Sequence, residues 1–241
     1  LRSLDVRLNN GNILNAVKFK LLIPETRNNL NEILGSLILK ELGFITPETF
    51  QVFAKVNGIT NLMIFQEKSA KELLERNNRK EGPIFEGDEE LLWKYEDYRI
   101  NELENVSLAK LLNENWFNKG KNNQIITLKA FHRLQLAYLE YIGHHIKSKT
   151  FIYPNLLKNE VFLNYHLILE IINGHHALRP HNRQYYHNTY LDSFEPIYYD
   201  GMFELTKPII KFNEVIYSNF QILQIEKYLK LLNNNNIRNN L

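Results

Sequence analysis

The sequence predicts an α+β fold in two parts: a small sheet-plus-helix lobe over residues 1–68 and a larger, mainly helical lobe over 69–241. Three observations carry this expectation. Alternation of apolar and polar residues with period two is confined to the first 66 residues, where tight turn signals make the strands antiparallel. From Ser69 onward apolar residues recur instead at helical spacing. A loop dense in His, Arg and Pro, followed by a hairpin, then occupies residues 174–201, GHHALRPHNRQYYHNTYLDSFEPIYYDG.

Composition sets outer bounds. The chain has 241 residues, 44% hydrophobic and 23% charged, ordinary values for a globular protein. Its 29 Lys and Arg against 27 Asp and Glu leave a net charge of +2, so bulk charge gives no sign of a nucleic-acid partner. Without cysteine there are neither disulfides nor thiolate zinc sites. No apolar run approaches the roughly 20 residues that cross a bilayer. The first residue is Leu1 and no signal-peptide pattern follows, so the chain is expected to be a fragment or a processed piece.

Leu4 to Leu8 alternates, the run Asn9-Asn10-Gly11-Asn12 supplies turn chemistry, and Val17 to Ile23 resumes the alternation. Lys18 and Lys20 fall on the strand face opposite Val17, Phe19 and Leu21, as solvated strand lysines or as donors towards a phosphate. Pro24 ends the strand, and Thr26 or Asn28 is expected to cap the next helix. Leu30, Ile33, Leu34, Leu37, Ile38 and Leu42 form its stripe, and Gly43 stops it. Glu32 lies near the start of this helix, beside the stripe, where it could meet a strand lysine or favour the positive helix end. Phe50 to Val56 and Leu62 to Gln66 read as strands joined by Asn57-Gly58.

Ala70, Leu73 and Leu74 begin a helix. Residues 76–90 are read as an ordered loop or lobe junction whose acidic run (Glu86, Asp88, Glu89, Glu90) opens a solvated helix or, as the alternative, binds a cation. Helices are expected over 103–116, 125–146 and 161–172, with core stripes Leu134, Ala137, Tyr138, Tyr141, Ile142 and Phe162, Tyr165, Leu169, Ile172. Asn173-Gly174 stops the last of these. A final helix is expected over 215–232, before a low-complexity tail.

The run HHALRPHN at 175–182 resembles the protein-kinase catalytic loop H-R-D-L-x-x-x-N, with His175, Leu178 and Asn182 in register. A hairpin follows, and Tyr199-Asp200-Gly201 stands where kinases carry D-F-G. The segments KFKLLIPETRNNLNEI, LGFITPETF, VNG, FQEK and KELLE are similar to the CotH-type atypical kinases, named for a bacterial spore-coat protein. The likeness covers roughly residues 1–95 and 160–205.

This resemblance implies a two-lobed protein-kinase-like fold that transfers the γ-phosphoryl of ATP, with Mg2+, to a hydroxyl of a protein substrate. The compartment is left open, with a soluble protein of the bacterial cytoplasm or associated with the cell surface expected. Asn182 and Asp200 would hold the metal at a solvent-facing cleft. Lys20, or Lys18, would meet phosphate oxygens with Glu32 orienting it. Glu67 would lie at the adenine hinge and Arg179 near the transferred group. Ala177 replaces the catalytic Asp, leaving His176 or His181 as candidate base. Ala177 thus also favours a pseudokinase or a nucleotide-binding interaction module. A histidine–metal phosphoesterase, built on His175, His176, His181 and His187, is a third alternative.

Overall fold

The computed structural model describes residues 2–88, 109–148 and 160–204. It is a mixed α+β structure with two antiparallel four-stranded sheets. The first sheet holds β1 (Leu4–Arg7), β2 (Lys18–Leu22), β3 (Thr49–Val56) and β4 (Ile59–Glu67) in the order β1-β2-β4-β3. The β3–β4 hairpin turns at Asn57 and Gly58, both at positive φ (51° and 85°) as a two-residue primed turn requires. Its register pairs Val56 with Ile59 and Phe53 with Leu62. In β2, Phe19 faces inward onto Phe65 of β4, which stacks in turn on Phe50 of β3.

Between β2 and β3 lie a 3₁₀ turn, Pro24–Arg27, and helix α1, Asn31–Glu41. Neither Thr26 nor Asn28 caps α1. Leu30 holds the cap position without a side-chain hydrogen bond. Asn28 adopts a left-handed conformation, and its amide donates to the carbonyls of Met202 and Phe203. The helix ends as expected at Gly43, which takes φ +84°.

Helix α2 (Lys71–Arg76) leads into the second sheet, ordered β6-β5-β7-β8 from β5 (Ile84–Gly87), β6 (Ala109–Leu111), β7 (Gln184–Asn188) and β8 (Ser193–Ile197). Two expectations are corrected here. Residues 84–87, read as junction loop, form a central strand flanked by β6 and β7, and Ile84 and Phe85 have no solvent exposure. Residues 109–111, read as helix, form β6. Pairing across the sheet overrides the helical spacing in so short a run. Antiparallel structure is therefore not confined to the first 66 residues. Helix α3 spans Glu114–Phe117, α4 spans Lys121–Ser148 and α5 spans Glu160–Ile171. The expected helix start at 89–92, residues 103–108, and the final helix and tail at 215–241 lie outside the described residues.

The described stripe residues of α4 and α5 pack inward as their spacing predicts, the side chains of Tyr138, Tyr141 and Ile142 lying outside the described ones. Leu134 and Ala137 are buried, as are Phe162, Tyr165, Leu169 and Ile172. One core cluster joins Leu39 of α1 to Ile168 and Leu169 of α5, to Ala177 and Leu178 of the loop, and to Tyr198 and Phe203 after β8. That cluster fixes the 175–182 loop and the Asp200 turn against α1. Asn173, at φ +54°, supplies the left-handed helix stop, not Gly174. Gly174 is needed for another reason: a Cβ there would lie 2.5 Å from the Phe203 ring. No described helix is long and apolar enough to cross a membrane.

Candidate functional site

Two 3₁₀ turns, His175–Leu178 and Pro180–Asn182, carry the loop that leads into β7. Asn182, at the end of the second, donates its side-chain amide to the His176 carbonyl at 3.0 Å and lies 3.0 Å from His176 Nδ1. The same ring nitrogen is 2.9 Å from the Asp200 carbonyl and 3.6 Å from Asp200 Oδ2. Asn182 and Asp200, 18 positions apart, thus meet across one imidazole. Arg27, from the turn before α1, brings its guanidinium to 3.4 Å from Asp200 Oδ2. The other carboxylate oxygen, Oδ1, is buried with no hydrogen-bond partner. Asp200 itself is only 5% exposed, so it does not face solvent as expected.

An orphaned carboxylate oxygen beside an asparagine suits a hard, oxygen-seeking cation such as Mg2+. The Arg27 guanidinium already balances charge at Oδ2, so a cation would enter at Oδ1.

Beside this cluster lies a cavity of about 270 Å³, lined among others by Lys18, Lys20, Lys68, Ser69, Glu86, Gln184 and Tyr199. Its floor is a hydrogen-bonded chain. Ser69 Oγ donates to Gln184 Oε1 at 2.5 Å, and Gln184 Nε2 donates to Glu86 Oε2 at 3.0 Å. Lys110 neutralises Glu86 at 3.2 Å. Lys20 Nζ donates to the Tyr199 hydroxyl at 2.6 Å and lies over the same ring. Burial works against the charge on Lys20, but the charge interaction and hydrogen bond with Tyr199, aided by Glu86, outweigh it and raise its pKa.

The expected pairing of Lys20 with Glu32 is absent. Glu32 has no solvent exposure; Oε1 accepts from Gln66 Nε2 at 2.9 Å and Oε2 from the Tyr198 hydroxyl at 2.7 Å. Glu32 shares the buried face of α1 with Gly35, Ser36 and Leu39, three, four and seven positions on, so its carboxylate points into the core instead of reaching the strand lysine; of the expected stripe only Ile38 is buried. Burial lifts its pKa to about 7 against the pull of those two hydrogen bonds, with nearby Asp200 adding to the rise.

Glu67 is likewise committed to local structure. Arg76 bonds both its oxygens, at 3.1 and 3.2 Å, and the Glu48 N–H donates to it at 3.3 Å. Its pKa is raised because burial outweighs these partners. Its own N–H donates to the Glu48 carbonyl, and that of Lys68 to the Lys18 carbonyl. Neither of these hinge-like amides is left for an adenine ring.

Of the candidate bases, His176 sits within the Asp200 cluster, and His181 is buried with its ring 6.4 Å from that of His176. Arg179 is exposed. Ala177 is buried in the core cluster and offers no acid–base group. The histidines grouped for a metal hydrolase are spread over three carboxylates: His175 on Glu170, His176 on Asp200 and His187 on Asp192. Among the described residues no group of three or more His, Asp or Glu is arranged to hold a metal.

Sequence reasoning passed over Arg27, Gln66, Tyr198 and Tyr199. Arg27 lies inside the PETR stretch quoted above, and the tyrosines precede Asp200, so position beside the motif was the one signal present. No protein-family model matches the chain, and no curated protein matches it in sequence.

Proposed function

We propose that the chain is a nucleotide-binding domain of two-lobed, protein-kinase-like design, resembling CotH-type atypical kinases, that transfers the γ-phosphoryl group of ATP to a hydroxyl. The observation that carries this is the convergence of Asn182 and Asp200 on His176, with Asp200 Oδ1 buried and unpartnered. Next to it a lysine-lined cavity offers cationic groups to phosphate oxygens.

On this reading Asn182 and Asp200 hold Mg2+, which when bound neutralises charge on the phosphate oxygens. Lys20 exchanges its hydrogen bond to Tyr199 for a phosphate oxygen; the hydroxyl keeps the ammonium aimed until nucleotide arrives. Lys18 and Lys68 line the same cavity, Lys68 paired with Asp5 at 2.6 Å. His176 is the nearest imidazole to take a proton from an acceptor hydroxyl, since Ala177 has none to accept. The acceptor is assigned to protein by the resemblance alone.

A pseudokinase or nucleotide-dependent interaction module is the second reading, favoured by two observations. Ala177 stands at the position of the general base, and Arg27 rests on the carboxylate that the metal needs.

Thermal shift and calorimetric titration with ATP, with and without Mg2+, test the first step. Metal-dependent binding supports both readings; autophosphorylation with γ-labelled ATP then separates enzyme from pseudokinase. Failure to bind nucleotide under either condition rejects the enzyme and the nucleotide-dependent module, and leaves only a pseudokinase that binds a partner. Elemental analysis of the purified protein tests the phosphoesterase alternative, which requires a bound transition metal.

A further inference from the structure

The geometry points to Glu32 and Tyr198 as positioning residues that brace the Asp200–Gly201 turn, with Glu32 acting through Tyr198 and not through Lys20. The inference rests on the reading of Asp200 as a metal-holding group, and it assigns to the helix-α1 carboxylate a role different from lysine orientation.

Asp200 takes φ +49°, a left-handed conformation that is sterically disfavoured for a non-glycine residue and is held by its surroundings. Tyr198 does the holding. Its hydroxyl oxygen accepts the Gly201 N–H at 3.0 Å, while its proton goes to Glu32 Oε2 at 2.7 Å. Glu32 is anchored on its other side by Gln66 of β4. The phenol is thus clamped between a helix, a strand of the first sheet and the turn it supports.

Contacts around the turn are close enough to transmit this. A Cβ on Gly201 would lie 2.8 Å from both the Tyr198 ring and its oxygen, so backbone is pressed directly onto the phenol. The Tyr198 ring stacks on Phe203 with centroids 5.3 Å apart, and Asn28 and Asn31 donate to the Phe203 carbonyl beyond. Lys20, by contrast, touches Tyr199, whose phenol is separate from this chain of bonds. Loss of the Tyr198 hydroxyl would remove two hydrogen bonds from the brace while leaving the ring stack in place.

The test uses the full chain and two variants, Tyr198→Phe and Glu32→Gln. Amide hydrogen exchange at Gly201, measured without any ligand, reads the brace. Mg2+ titration at fixed ADP reads its consequence for Asp200. In Tyr198→Phe, Gly201 should exchange about tenfold faster or more, the change one lost hydrogen bond produces, while the amide of Leu42, the residue that caps the C-terminal end of α1, is unchanged. Apparent Mg2+ affinity should fall by about tenfold, with metal-free ADP affinity unaltered. Glu32→Gln should move both readouts in the same direction, and it carries the test should the first variant not fold. Unchanged exchange at Gly201 overturns the brace. Faster exchange with unchanged Mg2+ affinity overturns its positioning role. If the wild type shows no Mg2+ response with ADP, the nucleotide reading fails, and Gly201 exchange still decides the brace.

Discussion

Replacing Glu32 by Gln probes a carboxylate that the fold holds away from water. Burial raises its pKa from the ordinary 4.5 to about 7. Between those values the folded chain keeps a proton that the unfolded chain has lost. The stability this provides is fully present below about pH 4.5 and is lost as pH rises through about 7. Each tenfold difference in acid constant is worth about 1.4 kcal/mol, so the wild type should lose roughly 3 kcal/mol across this window on account of Glu32. Glutamine cannot ionise and escapes that loss. Urea melts of both proteins at several pH values between about 4.5 and 8 measure the difference directly. Wild-type stability should fall relative to Glu32→Gln by an amount of that order, and the gap should stop growing above about pH 8. Parallel pH profiles for the two proteins would refute the assignment of a buried, proton-holding Glu32.

Other consequences follow from the same contacts. Gly35→Ala would drive a Cβ to within 1.5 Å of the Phe203 ring, and should destabilise the fold by about 3 kcal/mol in a urea melt, because the ring is packed against Tyr198 with no room to retreat. Lys20→Met should weaken ATP binding by at least about tenfold in a calorimetric titration while leaving Tm within a few degrees, as a lost phosphate contact does. Arg27→Ala should free Asp200 Oδ2 of its charged neighbour and raise apparent Mg2+ affinity at fixed nucleotide; unchanged or weaker affinity contradicts competition between the guanidinium and the metal.

The parts of the fold written in local chemistry were legible beforehand. Asn57-Gly58 specified a hairpin because two consecutive residues must take positive φ there, and they do. The stripe Phe162, Tyr165, Leu169, Ile172 marked a core face because helical spacing leaves no other use for it. Strands β5 and β6 were not legible. Each has four residues or fewer, and what makes them strands is pairing with segments as distant as Gln184 and Tyr186. The site divides along the same line. Asn182 and Asp200 were singled out through motif order, whereas the partners of Glu32 lie 34 and 166 positions away and no local pattern announces them. Lys20 lines the cavity, and its partner there is the phenol of Tyr199, which helix and strand periodicity could not indicate.

The most direct test of the account is calorimetric titration of ATP into the wild type and into Asp200→Asn, each with and without Mg2+. The wild type should bind ATP more tightly with Mg2+ present. Asp200→Asn should lose that metal dependence while keeping the metal-free affinity, and its Tm should drop modestly because Arg27 is left without its carboxylate. Wild-type protein that binds no ATP, or an Asp200→Asn variant whose Mg2+ dependence is intact, would contradict the assignment of this site.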